Sequence, residues 1–307
     1  MSGRGKWDLM PDNLDLRIRL ATFAWLKESS ILVDGVFPRD VLASGFMFQG
    51  NRVPLIGPQG IFEPAVIPEI PLSITTTTGG PYEDSEDENG RLLYAFMGTD
   101  PNHWQNKGLM KAMELQVPLV YFKALMPGRY AASFPAYIVG IDTKNLMFTV
   151  EFGDAESTFV GTQPGKIEIP RAYATQKVKV RLHQQEFREI VLDAYEERCT
   201  CCRLGHRKLL DAAHIIPDKE PEGLPIVKNG LALCKLHHAA FDSNLFGIRP
   251  DHVIEVRKDI LGEKDGPMLV HGLQELHDKK IIAPRNINLA PDKDLLEMRF
   301  EQFHKAG

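Results

Sequence analysis

All four cysteines of this chain fall between positions 199 and 234, and that crowding constrains the fold more than any other feature. Cys199-Thr-Cys-Cys202 and Cys234-Lys-Leu-His237 are two pairs, each with two residues between its members. Such spacing lets both side chains of a knuckle reach one tetrahedral zinc ion. It predicts a structural zinc held by Cys199, Cys202, Cys234 and His237, with Cys201 left over because its side chain points away when its neighbours bind. Clustered cysteines in a reducing compartment favour metal binding over a disulfide framework. The alternative, four cysteines buried as small apolar residues, would not require paired spacing.

Phe187, Ile190, Val191, Ala194 and Tyr195 form one apolar stripe at helical spacing that leads into the first knuckle. Between the knuckles run Leu209-Leu-Asp-Ala-Ala-His214-Ile-Ile-Pro and then Asn229-Gly-Leu-Ala-Leu-Cys-Lys-Leu-His-His238-Ala-Ala-Phe-Asp242. In order and spacing, residues 195 to 250 resemble the HNH, or ββα-metal, endonuclease superfamily. The resemblance implies a hairpin carrying a histidine general base, an asparagine that orients it, and a helix supplying ligands of a catalytic divalent metal. Carried over by position, His214 activates the attacking water, Asn229 fixes the loop and orients His214, and His238 binds Mg or Mn. The chemistry asks for those residue types. A neutral imidazole can take a proton from water attacking a phosphodiester, while a cation offsets charge on the phosphate and the leaving oxygen.

Asp242 lies four residues after His238, on the same face of a helix, and is expected as a second metal ligand. Many members of the superfamily carry an acidic or histidine ligand immediately before the first histidine. Here that position is Ala213, and the nearest acid, Asp211, is a further candidate. Taken singly, these residues have plainer readings: His214 as a hydrogen-bonded core histidine, Asn229 as a turn residue before Gly230, Asp242 as a surface charge.

At 307 residues the chain is long enough for two domains, each with its own core. Leu16, Leu20, Phe23 and Leu26 predict a helix over 14 to 27. From Ile31 to Thr78, short apolar runs broken by Gly and Pro read as strands and turns without helix. Strands are expected at Leu92–Phe96 and Pro118–Leu125, a short helix from Gly108 to Leu115, and a hairpin of 136–141 with 146–152 around Asp142-Thr-Lys-Asn. A boundary is expected within the polar, then basic, segment 154–180. Leu295, Leu296, Met298, Phe300 and Phe303 predict a terminal helix packed back on the fold.

The run from Tyr94 through Asp100, Trp104 and Asn106 to Met113, followed by Pro118-Leu-Val-Tyr-Phe, resembles the SRA domains that read modified cytosine. In those domains such a stretch borders a pocket for a flipped base, which requires aromatic faces and polar groups for the base edge. The resemblance implies Tyr82, Tyr94, Asp100, Trp104 and Asn106 as candidates; the plainer reading makes Tyr94 and Trp104 core aromatics and Asp100 a turn former before Pro101. The fold class expected is therefore α+β. A strand-rich, SRA/PUA-like recognition domain over 1–175 precedes a zinc-stabilised ββα-metal HNH nuclease domain over 184–307 with a C-terminal helical extension.

A net charge of −5 excludes a wholly basic nucleic-acid coat but not a local basic face. The acidic run Glu83, Asp84, Glu86, Asp87 and Glu88 carries much of that charge in a solvated loop, so phosphates would meet other elements, with Arg39, Arg52, Lys107, Lys111 and Arg129 as candidates or as ordinary surface. The 43% apolar and 25% charged residues are those of a globular protein. No apolar run of about 18 residues is present, and Met1–Lys6 lacks a signal-peptide core, so a cytoplasmic location is expected. The expected partner is double-stranded DNA carrying modified cytosine, cut by a possible homodimer. Two other readings remain open: a nuclease whose first domain senses phosphorothioate, a nucleotide signal or a protein, and a zinc-stabilised binding module without activity.

Overall fold

The structure, a computed structural model, describes residues 13–76, 85–88, 91–153 and 171–306. Tyr82, the Glu83 and Asp84 end of the acidic run, and Met1–Lys6 lie outside the described residues. The chain divides into two compact units, Met1–His183 and Gln184–Gly307. Both mix helix and strand, so the fold is α+β, with the strand-rich part first.

The described helices of the first unit are α1 (Asn13–Leu32), α2 (Arg39–Ser44) and α3 (Trp104–Leu115), and α4 (Arg171–Ala194) contributes its residues up to His183. Its strands are β1 (Val36–Pro38), β2 (Phe46–Phe48), β3 (Asn51–Val53), β4 (Ile61–Phe62), β5 (Ser73–Thr75), β6 (Ser85–Glu86), β7 (Leu92–Ala95), β8 (Leu119–Met126), β9 (Arg129–Asp142) and β10 (Met147–Phe152). Apart from the β2–β3 hairpin they form one sheet in the order β4-β5-β8-β9-β10-β7-β6, with β1 also on β9. Among the described strands of this unit only the β5–β8 pairing is parallel. The hairpin around Asp142 is present, with Met147 opposite Asp142. The Asp142 carboxylate accepts the Lys144 and Asn145 amides at 2.9 and 3.0 Å and so shapes the turn.

Strand β8 is almost continuously buried. Its alternating side chains enter two cores: Leu119, Tyr121 and Leu125 join Phe96, Leu109 and Phe148, while Val120 and Phe122 join Ile18, Phe23 and Leu26 of α1. Covering on both faces explains the unbroken apolar run.

Residues 31–78 are not free of helix, as the sequence had suggested, because α2 spans Arg39–Ser44. Pro38 presets the entry with φ −63°, and Gly45 ends the helix with φ +61°. Six residues are too few for apolar periodicity to register. Helix α3 begins at Trp104, ahead of the expected Gly108, because the His103 side chain caps it by accepting from the Gln105 amide. Gly108 then lies within the helix, where a Cβ would meet Pro71 Cδ at 2.8 Å.

Arg19 is buried in the first unit. Its guanidinium donates to the carbonyls of Ile70, Pro71 and Pro118 at 2.8–3.0 Å and to Asp15 at 2.5 Å. Burial lowers its pKa, opposed by Asp15. Removing one partner of such a network strands the others, so Arg19→Ala should cost about 3 kcal/mol of the first unit's stability, read from urea unfolding. An unchanged midpoint would reduce Arg19 to a surface-like charge.

The second unit holds α4 from Gln184, the hairpin β11 (Leu210–His214) and β12 (Gly230–Cys234), and helix α5 (Lys235–Asp242). A second hairpin, β13 (Phe246–Ile248) with β14 (Ile254–Val256), follows. Short helices α6 (Lys258–Gly262) and α7 (Pro267–Gly272) lead to α8 (Lys293–Ala306), which buries Leu296 and Phe303 and packs on β13. The terminal helix is thus where the apolar pattern put it.

Candidate active site and metal centre

Cys199, Cys202, Cys234 and His237 bring one ligand atom each within 4.8 Å of all the others. Their knuckles close through backbone: the Cys199 amide donates to the Leu204 carbonyl (3.0 Å) and the Arg203 amide to the Cys199 carbonyl (2.9 Å). Cys199 and Cys234 Sγ lie 3.3 and 3.2 Å from His237 Nδ1, and Cys202 Sγ lies 4.0 Å from Cys234 Sγ. The sulfur separation is far beyond a disulfide bond and near the ~3.8 Å edge of a tetrahedron built on Zn–S bonds of about 2.3 Å. His237 Nε2 donates to the Gly272 carbonyl at 2.7 Å, which leaves Nδ1 as the lone pair facing the sulfurs. Hydrogen bonds from Cys201, then Cys234, hold the Cys199 thiol far below its usual range. The donor set fits a resident cation, and Cys201 stays outside it. It is the one convergent group of three or more such ligands among the described residues.

His214 ends β11 opposite Gly230 of β12, and its ring lies parallel to that of Phe187, with centroids 3.9 Å apart. Asn229 is fully buried in the turn before β12. Its side chain accepts from the Ile216 amide (2.9 Å) and donates to the carbonyls of Ile216 (2.9 Å) and Leu224 (3.0 Å). The same residue's carbonyl accepts from the Ile215 amide. Asn229 therefore staples the chain that follows His214, which requires both halves of a carboxamide.

His238 projects from α5 between two carboxylates. Its Nδ1 lies 3.3 Å from Asp211 Oδ2 and its Nε2 lies 3.3 Å from Asp242 Oδ2. Asp211, on β11, is also held by Lys235 Nζ at 2.7 Å to each oxygen. The His238 contact, then Lys235, lowers the Asp211 pKa to about 2, and the Asp211 contact raises that of His238. The pair stabilises the metal-free fold across mildly acidic pH. The carboxylate's share is lost as pH falls toward about 2, and the imidazole's as pH rises through its raised value. An imidazole gives each ion one nitrogen. Because Lys235 already neutralises Asp211, the His238 Nε2 and Asp242 side is the one open to a further cation, and two protein ligands suit Mg or Mn, which keep water and substrate oxygens.

His214, Asp211, His238 and Asp242 line one cleft of about 670 Å³ within the second unit. Sequence reasoning missed two arginines on its wall, Arg188 and Arg299. Arg188 donates to the Arg207 and Leu210 carbonyls at 3.1 and 3.0 Å. Arg299, from α8, stacks over Phe241 at 4.8 Å and donates to that residue's carbonyl at 2.8 Å. No local pattern marks either, because the contacts span long stretches of chain.

In the first unit Tyr94 is buried in β7 and donates to the Thr75 carbonyl at 3.3 Å, whereas Trp104 is 56% exposed at the start of α3. Asn106 is fully buried, accepting from the Met97 amide and donating to the Met97 and Asp100 carbonyls. The Asp100 carboxylate accepts from the Asn102 amide. Asp100 and Asn106 are thus brought together in one turn, where the Asn106 carboxamide is engaged by backbone. Among the basic residues, Arg39 and Arg52 donate to the carbonyls of Gly57 and Ala43, Lys111 pairs with Glu69, Lys107 is exposed, and Arg129 opens β9.

The family model described as HNH endonuclease matches residues 199–249. No curated protein matches the chain. Among solved structures, the modification-dependent TagI restriction endonuclease aligns at 14% identity and a TM-score of 0.28 over 76% of this chain and 81% of that one. The Type IV phosphorothioation-dependent restriction endonuclease ScoMcrA aligns at 14% identity and a TM-score of 0.20 over 77% of this chain and 50% of that one. Overlaps at such scores fix neither fold nor activity. Residues 199–249 carry an HNH endonuclease domain, and the protein is a nuclease.

Proposed function

We propose that the chain is a DNA endonuclease, with a one-metal HNH nuclease in residues 184–307 and an SRA/PUA-like reader of modified cytosine in residues 1–175. The nuclease half is supported by one observation above others: His214, His238, Asp211 and Asp242 line a single cleft together with two arginines. The reader half rests on the resemblance of residues 94–122 to SRA domains.

In this reading His214 accepts the proton of the attacking water, whose oxygen bonds to phosphorus as the bond to the leaving oxygen breaks. Asn229 holds the backbone behind His214, and Arg188 and Arg299 draw phosphate oxygens to the cleft. His238 Nε2 and Asp242 would hold Mg or Mn, which would offset charge on the phosphate and leaving oxygen, while Asp211 orients the imidazole from its Nδ1 side. Zinc at the three cysteines and His237 holds the frame. One site per chain suits a homodimer or paired binding for double-strand cuts. No helix of the described residues is long and apolar enough to cross a membrane.

Matched duplexes carrying plain cytosine, 5-methylcytosine or 5-hydroxymethylcytosine, incubated with Mg or Mn, test both halves. Cutting confined to the modified duplexes is expected. Equal cutting of all three removes the reader and keeps the nuclease, and cutting of none of them but of a fourth, phosphorothioate duplex gives the reader that chemistry instead.

A further inference from the structure

We propose that Phe187 is a positioning residue for His214, so that α4 completes the nuclease site from outside the segment that carries the HNH motif. The inference rests on the reading of His214 as the base.

Backbone alone does not orient a histidine ring, because the torsion that turns it is broad and two-fold. A flat ring packed against its face constrains the plane. The Phe187 ring, 3% exposed, lies at 14° to the imidazole with centroids 3.9 Å apart, a parallel contact that restricts rotation.

A second, independent observation comes from the opposite strand. Gly230 is the register partner of His214, and a Cβ there would lie 2.4 Å from Val191 Cγ2 and 3.1 Å from Phe187 Cζ. The rung of the hairpin that ends in His214 is therefore bare on the side where α4 sits, and α4 approaches as closely as backbone allows. Tyr195, two turns beyond Phe187, fastens the same rung by donating its hydroxyl to the Gly230 carbonyl at 3.2 Å. Helix, glycine and histidine form one seat, with Phe187 as the part that touches the imidazole face. A displacement of a reacting group by about 1 Å can cost about 10²-fold in rate, which is the scale of effect a positioning residue controls.

The test uses full-length protein with isotopically labelled histidine and the duplex that wild type cuts fastest. Loss of one set of imidazole signals in His214→Ala assigns them. Phe187→Leu is expected to lower kcat about 10²-fold with KM unchanged and to move the His214 ring protons downfield as the ring current of Phe187 is lost. Leu192→Ala, in the same core and equally buried, should lower Tm without changing either readout. Phe187→Met serves if the leucine variant does not fold. A Phe187→Leu enzyme with wild-type kcat, beside an inactive His214→Ala enzyme, overturns the positioning role alone; an unmoved His214 signal does the same. A His214→Ala enzyme that cuts at the wild-type rate overturns the base assignment instead.

Discussion

His214→Ala should lower kcat for DNA cleavage about 10²- to 10⁴-fold, the range for removing a general base, while bound metal and the melting of the second unit stay near wild type. The separation follows from where His214 sits. Its backbone is the last rung of the β11–β12 hairpin, and that pairing with Gly230 survives truncation. The knuckle ligands lie elsewhere, and the staple behind the histidine belongs to Asn229, whose carboxamide touches Ile216 and Leu224 rather than the imidazole. The stack of the ring on Phe187 is worth about 1 kcal/mol. Single-turnover cleavage, metal analysis and a melt on one preparation check it. A variant as fast as wild type would remove His214 from the base role, and one that lost its metal or melted early would make the histidine structural.

Chelation of the knuckle metal, or Cys199→Ser, should abolish the cooperative melt of the second unit while leaving that of the first. Structural zinc sites contribute on the order of 10 kcal/mol of apparent folding free energy, comparable with the whole stability of a small domain. Cys199 and Cys234 are also members of the unit's hydrophobic core, beside Leu210, Leu233 and Phe246. Without a cation, thiolates would have to sit together in that core or take up protons. The first unit's two cores contain none of the four ligands and no residue of the β11–β12 hairpin, which is why its transition should persist. Calorimetry before and after chelation, with metal restored, decides the matter, and metal analysis of the untreated protein identifies the ion. A second transition unmoved by chelation would show that packing alone holds this unit.

The hairpin, the knuckles and α5 were legible because their residues act at short spacings: a pair of ligands two residues apart, or His238 and Asp242 one helical turn apart, reveals its geometry in the sequence. The sheet of the first unit was legible where strands bury both faces, as β8 does. What escaped depends on distance along the chain or on a single stiff residue. Helix α2 is set by Pro38 and Gly45 rather than by apolar period. Arg19 would pass for a solvated charge until three carbonyls from remote segments surround it. Phe187 shows in sequence as one member of an apolar stripe, and nothing there says that its ring meets His214. Asp211, three residues before His214, is seen as a partner of His238 only once strand and helix are paired.

The His237 ring that faces the cysteines leans on the carbonyl of Gly272, and Thr200, inside the first knuckle, exchanges hydrogen bonds with Ile282 through both backbone and hydroxyl. Arg299 reaches back in the same way to the end of α5. A motif that looks portable at fifty residues is thus anchored by chain that follows it. Gene shuffling that swapped only the stretch from the first cysteine to β13 would sever those anchors, all of which lie within the compact unit that opens at Gln184.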